Sequence, residues 1–244
     1  MHEAFQAGLL GLLSASSLLV GALVGLFTPV SQRASSVLMA FGAGALIAAA
    51  SFELVEKANR TAGLGAVALG LAVGALVFFV GDLWIAQLGG AQRKRSRATS
   101  LSGASLALAL GALLDGVPES LAIGAGYSSG GGFGWAMVGA VFLSNIPESL
   151  ASAAGLRRSG FAPGPVMGLW TAITLVSGVS ALLGHTLVAG AAGPVVATSQ
   201  AFAAGAILAM LASTMMPEAY EHGGPVVGLA TALGFLAAIM LERV

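Results

Sequence analysis

The sequence contains no cysteine and very little charge, since only 8% of its 244 residues are Asp, Glu, Lys or Arg. The absence of cysteine excludes disulfides and thiolate metal ligands. The scarcity of charge excludes an ordinary water-soluble surface, because soluble chains carry about a quarter charged residues. Ten cationic and ten anionic side chains give a formal net charge of zero. That balance gives no basis for binding nucleic acid or another polyanion.

The residues that are present indicate a surface that faces lipid. Hydrophobic residues make up 57% of the chain, 36 residues are glycine, and the mean hydropathy is +0.94. One helical membrane crossing needs about 20 mostly apolar residues. The chain is predicted to be a single domain, residues 1–244, with eight transmembrane helices near 5–28, 34–56, 63–86, 100–126, 134–156, 164–189, 194–220 and 225–241. The sequence therefore predicts an all-α polytopic membrane protein whose main partner is the lipid bilayer.

The positively charged residues are distributed unequally between the two sides of this arrangement. Alternate loops place seven of them on one side, namely Arg33, Arg93, Lys94, Arg95, Arg97, Arg157 and Arg158, and three on the other, namely Lys57, Arg60 and Arg243. Because cytoplasmic loops accumulate Lys and Arg, the side with seven is predicted to be cytoplasmic. Both termini are then extracellular or periplasmic, in the cell membrane of a bacterium or archaeon.

Two internal repeats indicate how the helices are arranged. The segment DGVPESLAIGAG (115–126) resembles SNIPESLASAAG (144–155), and AFGAGALIAAA (40–50) resembles AFAAGAILAML (201–211). The first pair falls on predicted helices 4 and 5 and the second on predicted helices 2 and 7. In each pair the two helices run in opposite directions, because their ordinal numbers differ by an odd number. This predicts a 3+2+3 inverted repeat with a pseudo-two-fold axis in the membrane plane, as in many transporters.

The Pro-Glu motifs of the first repeat are predicted to lie near the middle of the bilayer. Pro118 lies nine residues before Tyr127, and Pro147 lies thirteen residues after Gly134. A rise of about 1.5 Å per residue places them roughly 14 and 20 Å into a hydrocarbon core about 30 Å thick. A carboxylate at that depth costs roughly 2.5–3.5 kcal/mol on insertion scales. Each proline also leaves the carbonyl four residues earlier without its helical partner.

Five oxygen-bearing side chains are expected to converge between predicted helices 4 and 5: Asp115, Glu119, Ser144, Asn145 and Glu148. Asp115 and Glu119 share one helix face by their i, i+4 spacing, and Ser144 and Glu148 have the same relation. Carboxylates that meet in a low dielectric repel each other, so the cluster needs a bound cation or protons. An entering metal would displace such protons. The cluster therefore indicates a pathway for cations.

The two motifs resemble those of the ZIP family of divalent metal transporters. That family often carries His-Asn-x-Pro-Glu-Gly on helix 4 and a related Pro-Glu-Gly motif on helix 5, where this chain has DGVPES (115–120) and SNIPES (144–149). The resemblance covers nearly the whole chain in helix count, external termini and central repeat, and extends weakly to MMPEAYEHGG (215–224). It implies that Glu119 and Glu148 bridge or ligate metal, that Asn145 assists, and that metal moves toward the cytoplasm by alternating access.

The chain also departs from the family pattern. Asp115 replaces the usual histidine, Gly116 the neighbouring asparagine and Ser144 the frequent helix 5 histidine or glutamine, while predicted helix 6 lacks the glutamate found in many members. A single bound metal is therefore expected. An all-oxygen site suits Mn²⁺ and Fe²⁺ as well as zinc, so zinc is favoured by the resemblance alone, with Mn, Fe or Cd as alternatives. Ser120 and Ser149 are expected to act as weak ligands or as donors that hold the carboxylates.

Polar residues near the helix ends have two interpretations each. Glu218, Glu221 and His222 form an exit site for metal on the cytoplasmic side, or they are solvated charges at the end of predicted helix 7. Glu53 and Glu56 attract cations to an external entrance, or they are ordinary interfacial charges, which the sequence favours.

Two further polar residues are expected to be structural. Asp82 is expected to pair with the loop Arg93–Arg97, and His185, alone near the outer end of predicted helix 6, is expected to be a packed and hydrogen-bonded residue.

Functions other than transport have less support. The sequence has neither the His-Glu-x-x-His motif of zinc hydrolases nor a Gly-x-Gly-Asp aspartyl motif, so no enzymatic activity and no catalytic cofactor are expected. The remaining alternative is a degenerate ZIP-like membrane protein that binds protons or has a structural role without metal transport. The sequence leaves open whether the chain works as a monomer or as a homodimer.

Overall fold

The protein is described by a computed structural model that covers residues 2–87, 101–128 and 134–242, with the side chains of 101–109, 128 and 242 excepted. Within these ranges the chain is helical and has no β-strand, which confirms the all-α prediction for them. The helices are α1 (His2–Phe27), α2 (Gln32–Ala49), α3 (Lys57–Gln87), α4 (Leu101–Ser128), α5 (Trp135–Arg158), α6 (Pro163–Val188), α7 (Gly193–Met210), α8 (Met216–Gly223) and α9 (Val226–Glu242). Their ends lie within a few residues of the predicted segments.

Two of these helices continue into π-helical segments. α2 continues through the π-helix Ala50–Glu56 directly into α3, and α7 continues through the π-helix Leu211–Met215 directly into α8. Residues 57–62, predicted as a loop, are therefore helical, and the chain changes direction at Gly63 instead. The i, i+4 ion pairs Glu53–Lys57 and Glu56–Arg60 stabilise the helix through this stretch.

The two halves of the chain have the same helix spacing. α6 begins and ends 161 residues after α1, at 163 and 188 against 2 and 27, and α7 has the same relation to α2. The π-helices also begin 161 residues apart, at Ala50 and Leu211. Gly63 and Gly224 follow the same spacing, and both have the positive φ that favours glycine, 75° and 68°. The repeat seen in the sequence for predicted helices 2 and 7 thus extends to the neighbouring helices and turns.

Helix packing follows the same repeat. α3 packs along α7, and α9 packs along α2. The last helix of each half, α1–α3 or α6–α9, therefore packs against the other half. α1 packs against α5 and α6 against α4, while α1 and α6 pack against each other. Exchange of the two halves, together with exchange of α4 and α5, therefore leaves the pattern of contacts unchanged.

Several helices are suited to a lipid environment. Within the described residues, four helices are long and apolar enough to cross a membrane: His2–Phe27, Gln32–Gln87, Pro163–Val188 and Gly193–Gly223. Large apolar side chains face outward, as along α3 with Leu64, Leu76 and Trp84, while the core is rich in alanine. Small residues inside and large apolar residues outside are typical of helices that pack in lipid. These features are compatible with a multi-pass membrane protein.

Candidate metal-binding site

The Pro-Glu motif of α5 is held between α1 and α2 at two glycines. A Cβ atom at Gly42 of α2 would lie 2.6 Å from the Cα of Ser144, and one at Gly21 of α1 would collide with the Ile146 carbonyl oxygen and the Ser149 hydroxyl. Only glycine allows the backbones to approach this closely. The site residues of α5 are therefore placed by direct contact with two neighbouring helices, on either side of Pro147.

The two serines of this motif bond to the backbone of α5. The Ser144 hydroxyl donates to the Val141 carbonyl oxygen at 3.0 Å. The Ser149 hydroxyl donates to the carbonyl oxygens of Asn145 at 2.8 Å and Ile146 at 3.2 Å. Ser149 therefore does not donate to a carboxylate in this conformation, because its proton is used next to the proline, whereas its role as a weak ligand stays a prediction. The oxygen of Ser144 keeps its lone pairs and remains a candidate ligand.

The equivalent motif of α4 packs mainly against α6. Asp115, Glu119 and Ser120 are all buried, with Asp115 and Glu119 only 4% and 3% exposed. At Gly116, where the ZIP motif has asparagine, the Ser177 hydroxyl of α6 lies 3.6 Å from where a Cβ would be. The α4 carboxylates are thus enclosed by protein although α4 itself makes little contact with α5.

The carboxylates of the two motifs lie close enough to interact. Glu119 is buried, and the charges of Glu148 on α5 and Asp115 on its own helix lie near enough to act on it. Glu148 is half-buried, whereas Ser144 and Asn145 beside it are buried. Since the backbones of α4 and α5 scarcely touch, these side chains meet across the space between the helices. The structure therefore brings together the acidic residues that the sequence singles out.

The carboxylates do not form a compact cage in this conformation. Among the described side chains, no group of three or more His, Asp or Glu is arranged so that it could hold a metal ion. Glu119 is the member on which the charges of both Glu148 and Asp115 act. The other two predicted members, Ser144 and Asn145, offer neutral oxygens.

Glu53 has a position that the sequence does not predict. It lies in the π-helical segment after α2, is 6% exposed, and accepts a hydrogen bond of 3.2 Å from the Met137 amide in the first turn of α5. The Lys57 ammonium lies 3.5 Å from its other oxygen. The interpretation of Glu53 as an ordinary interfacial charge is therefore corrected, because it is buried and caps α5; its role at an external entrance stays a prediction. The signal was available, since Gly134 at the start of α5 has no side chain to cap the helix.

The remaining predicted residues lie away from the carboxylate cluster. Glu56 forms an exposed ion pair with Arg60. Glu221 and His222 are exposed on α8 and Glu218 is half-buried, with the His222 Nδ1 atom 3.4 Å from the Glu218 carbonyl oxygen. These three residues share one short helix and do not form a metal-binding group among the described residues.

Some predictions fall on parts of the chain that the structure leaves undescribed. The proposed partners of Asp82, Arg93–Arg97, lie outside the described residues, as does Arg243. Asp82 itself is half-buried in α3. His185 is buried and packs against Tyr127, so it is packed as predicted but is not alone.

No protein-family profile matches this chain, and no curated protein sequence matches it.

Proposed function

We propose that this chain is a ZIP-like carrier that moves a divalent metal ion, with zinc as the first candidate, across the cell membrane toward the cytoplasm. The observation that carries the proposal is the burial of Asp115 and Glu119 on α4 within range of the charge of Glu148, which belongs to the same motif on α5. Burying several carboxylates together is unfavourable unless a cation or protons balance their charge. A transported cation would balance the negative charge of these carboxylates while it is bound.

The repeat of the fold supports transport by alternating access. In this proposal eight segments cross the membrane, α1 to α7 and α9, and α4 and α5 form the central pair of a 3+2+3 inverted repeat. Support comes from the spacing of 161 residues and from the contacts that are preserved when the two halves are exchanged. Two halves with equivalent packing can take two arrangements that the pseudo-two-fold axis relates, one open to each side of the membrane.

Glu119 and Glu148 are the proposed ligands that face each other, one from each central helix. Asp115 and Asn145 complete the oxygen set, and Ser144 contributes its hydroxyl oxygen. One metal ion is proposed at this site. A site of carboxylate, amide and hydroxyl oxygens binds Mn²⁺ and Fe²⁺ as well as Zn²⁺, because hard oxygen ligands discriminate poorly among these ions.

Uptake by proteoliposomes tests the proposal directly. Glu119→Gln and Glu148→Gln remove one charge each while keeping side-chain size, and we expect uptake of radioactive zinc to fall to the level of empty liposomes. Glu56→Gln is the matched control, because it removes a carboxylate that is paired with Arg60 on the exposed surface. Equal uptake by all three variants would reject the carboxylate site.

The alternative function is a ZIP-like protein that binds protons or is structural. It is favoured by the departures from the family motif at Asp115, Gly116 and Ser144. Equilibrium dialysis of the purified protein against Zn²⁺ and Mn²⁺ separates the two functions. In a carrier, Glu119→Gln reduces the amount of metal retained; in a degenerate member, the wild type and Glu119→Gln retain the same amount.

A further inference from the structure

A second group of polar side chains lies at the end of the helix bundle where α1 begins and α4 and α6 end. His185 of α6 is 5% exposed, and its Nε2 atom lies 4.0 Å from the Glu3 carboxylate of α1. The ring of Tyr127 on α4 packs against the imidazole, with ring centroids 5.7 Å apart. The Tyr127 hydroxyl donates to Oε1 of Gln6 at 2.6 Å. α6 thus contributes an imidazole and α1 a carboxylate and an amide oxygen, while Tyr127 of α4 contacts both the imidazole and the amide.

The distance between His185 and Glu3 is suited to a shared cation. It exceeds the 2.7–3.2 Å typical of a hydrogen bond. Two ligands at about 2.1 Å from a tetrahedral zinc ion are roughly 3.4 Å apart, so a closing movement of about half an ångström brings this pair to ligand geometry. The Glu3 side chain is 77% exposed, so it can make this movement without displacing a helix. His185 is fixed by contrast, since it is buried and packed against Tyr127.

We propose that His185 and Glu3 form a capture site that binds a divalent metal ion of the zinc type before it reaches Glu119 and Glu148. Gln6, whose amide is oriented by Tyr127, lies one turn from Glu3 and supplies a further oxygen. Tyr127 lies eight residues beyond Glu119 on α4, so the capture site lies roughly 12 Å from the central carboxylates along the helix. This end of the bundle contains the start of the chain, on the side predicted to be external.

The capture site supplies a chemistry that the central site lacks. Imidazole nitrogen favours Zn²⁺ over Mg²⁺ and Mn²⁺, whereas a site made only of oxygens does not. Selection at the entrance therefore compensates for the loss of histidine at position 115. This inference rests on the proposed function for the identity of the cargo, but binding at His185 and Glu3 does not require transport.

Zinc binding and zinc uptake together test the inference. His185→Ala and Glu3→Gln are expected to bind one zinc ion fewer per chain in equilibrium dialysis. Their half-saturating zinc concentration for uptake should rise by at least about tenfold, since loss of a ligand costs no less than the 10–100-fold typical of changes around a metal site. The maximal rate should stay within about twofold, because Glu119 and Glu148 are unchanged. Glu3→Gln changes an exposed side chain, so it tests the site even if His185→Ala fails to fold.

The matched control is His2→Ala, which removes the exposed histidine next to Glu3. Zinc stoichiometry and half-saturation in His185→Ala and Glu3→Gln that equal those of His2→Ala would overturn the capture site. If Glu119→Gln still loses uptake in that case, the proposed function stands without it. If the wild-type chain shows no uptake, the proposed function fails, and the stoichiometry alone decides whether His185 and Glu3 bind metal.

Discussion

The contact between Glu53 and the start of α5 should stabilise the first turn of α5, whatever the function of the protein. Its carboxylate accepts a hydrogen bond from the Met137 amide at a helix end where Gly134 offers no capping side chain. Loss of a capping side chain costs about 0.5–2 kcal/mol, and loss of a negative charge at a helix N-terminus costs about 0.3–1 kcal/mol. We therefore expect Glu53→Ala to weaken the first turn of α5 by about 1–2 kcal/mol.

Hydrogen–deuterium exchange measures this loss where it occurs. A change of about 1–2 kcal/mol corresponds to roughly 5–30-fold faster opening, so amides 135–138 should exchange faster by that factor in Glu53→Ala. Glu53→Gln should give a smaller increase, because the amide oxygen still accepts a hydrogen bond but carries no charge. Exchange in α6, which packs mainly against α1 and α4, should not change.

The control for this experiment is Glu56→Ala, three residues away in the same π-helical segment. Glu56 is paired with Arg60 on the exposed surface and should have little effect, since such pairs contribute about 0–1 kcal/mol. Identical exchange of residues 135–138 in the Glu53 and Glu56 variants would refute the assignment of Glu53 as the cap of α5.

Two other predictions concern the packing and the ligands of the central site. Gly42→Ala should lower the yield of monodisperse protein in size-exclusion chromatography, because the added methyl group would lie 2.6 Å from the Ser144 Cα. Gly155→Ala should behave as the wild type, since no described atom outside its own helix backbone lies within 4 Å of the added Cβ. Equal yields of the two variants would contradict the close contact of α2 with α5. Asp115→His should shift competition for uptake toward Zn²⁺ over Mn²⁺, since it adds an imidazole nitrogen, and an unchanged competition profile would mean that residue 115 is not a ligand.

The helices could be predicted from the sequence because long apolar runs leave few other structures in a membrane. The interruption predicted at KANRTAG (57–63) was wrong for a local reason. Its charges, Lys57 and Arg60, form i, i+4 pairs with acidic residues of the preceding turn, so they extend the helix up to Gly63. Polar residues at a membrane surface signal the interface without requiring that the helix end there.

The extent of the internal repeat was only partly visible in the sequence. α2 and α7 share recognisable residues, whereas α1 and α6 share length and spacing with few common residues. Lipid-facing positions accept many apolar side chains, so the sequences of such helices diverge while their lengths remain set by the membrane. Spacing of helix ends and of the turn glycines Gly63 and Gly224 is the more durable signal.

The central carboxylates could be predicted to meet because a duplicated motif on two consecutive helices places Glu119 and Glu148 at matching positions. The roles of Glu53 and His185 could not, because they depend on contacts between helices far apart in the chain. Met137 lies 84 residues from Glu53, and Glu3 lies in α1, far from His185 in α6. A sequence motif identifies the side chains of one helix, whereas a cap between two helices can be identified only from the packed structure.

The exchange of last helices between the halves has a consequence for assembly. Because α3 packs along α7 and α9 along α2, neither half buries its own second helix. A fragment that ends after α3 would leave an alanine-rich face uncovered and should be unstable alone, yet it should associate with a separately synthesised second half. The two halves are thus interlocked by their last helices. Helices that are synthesised early remain incompletely packed until the late helices are present.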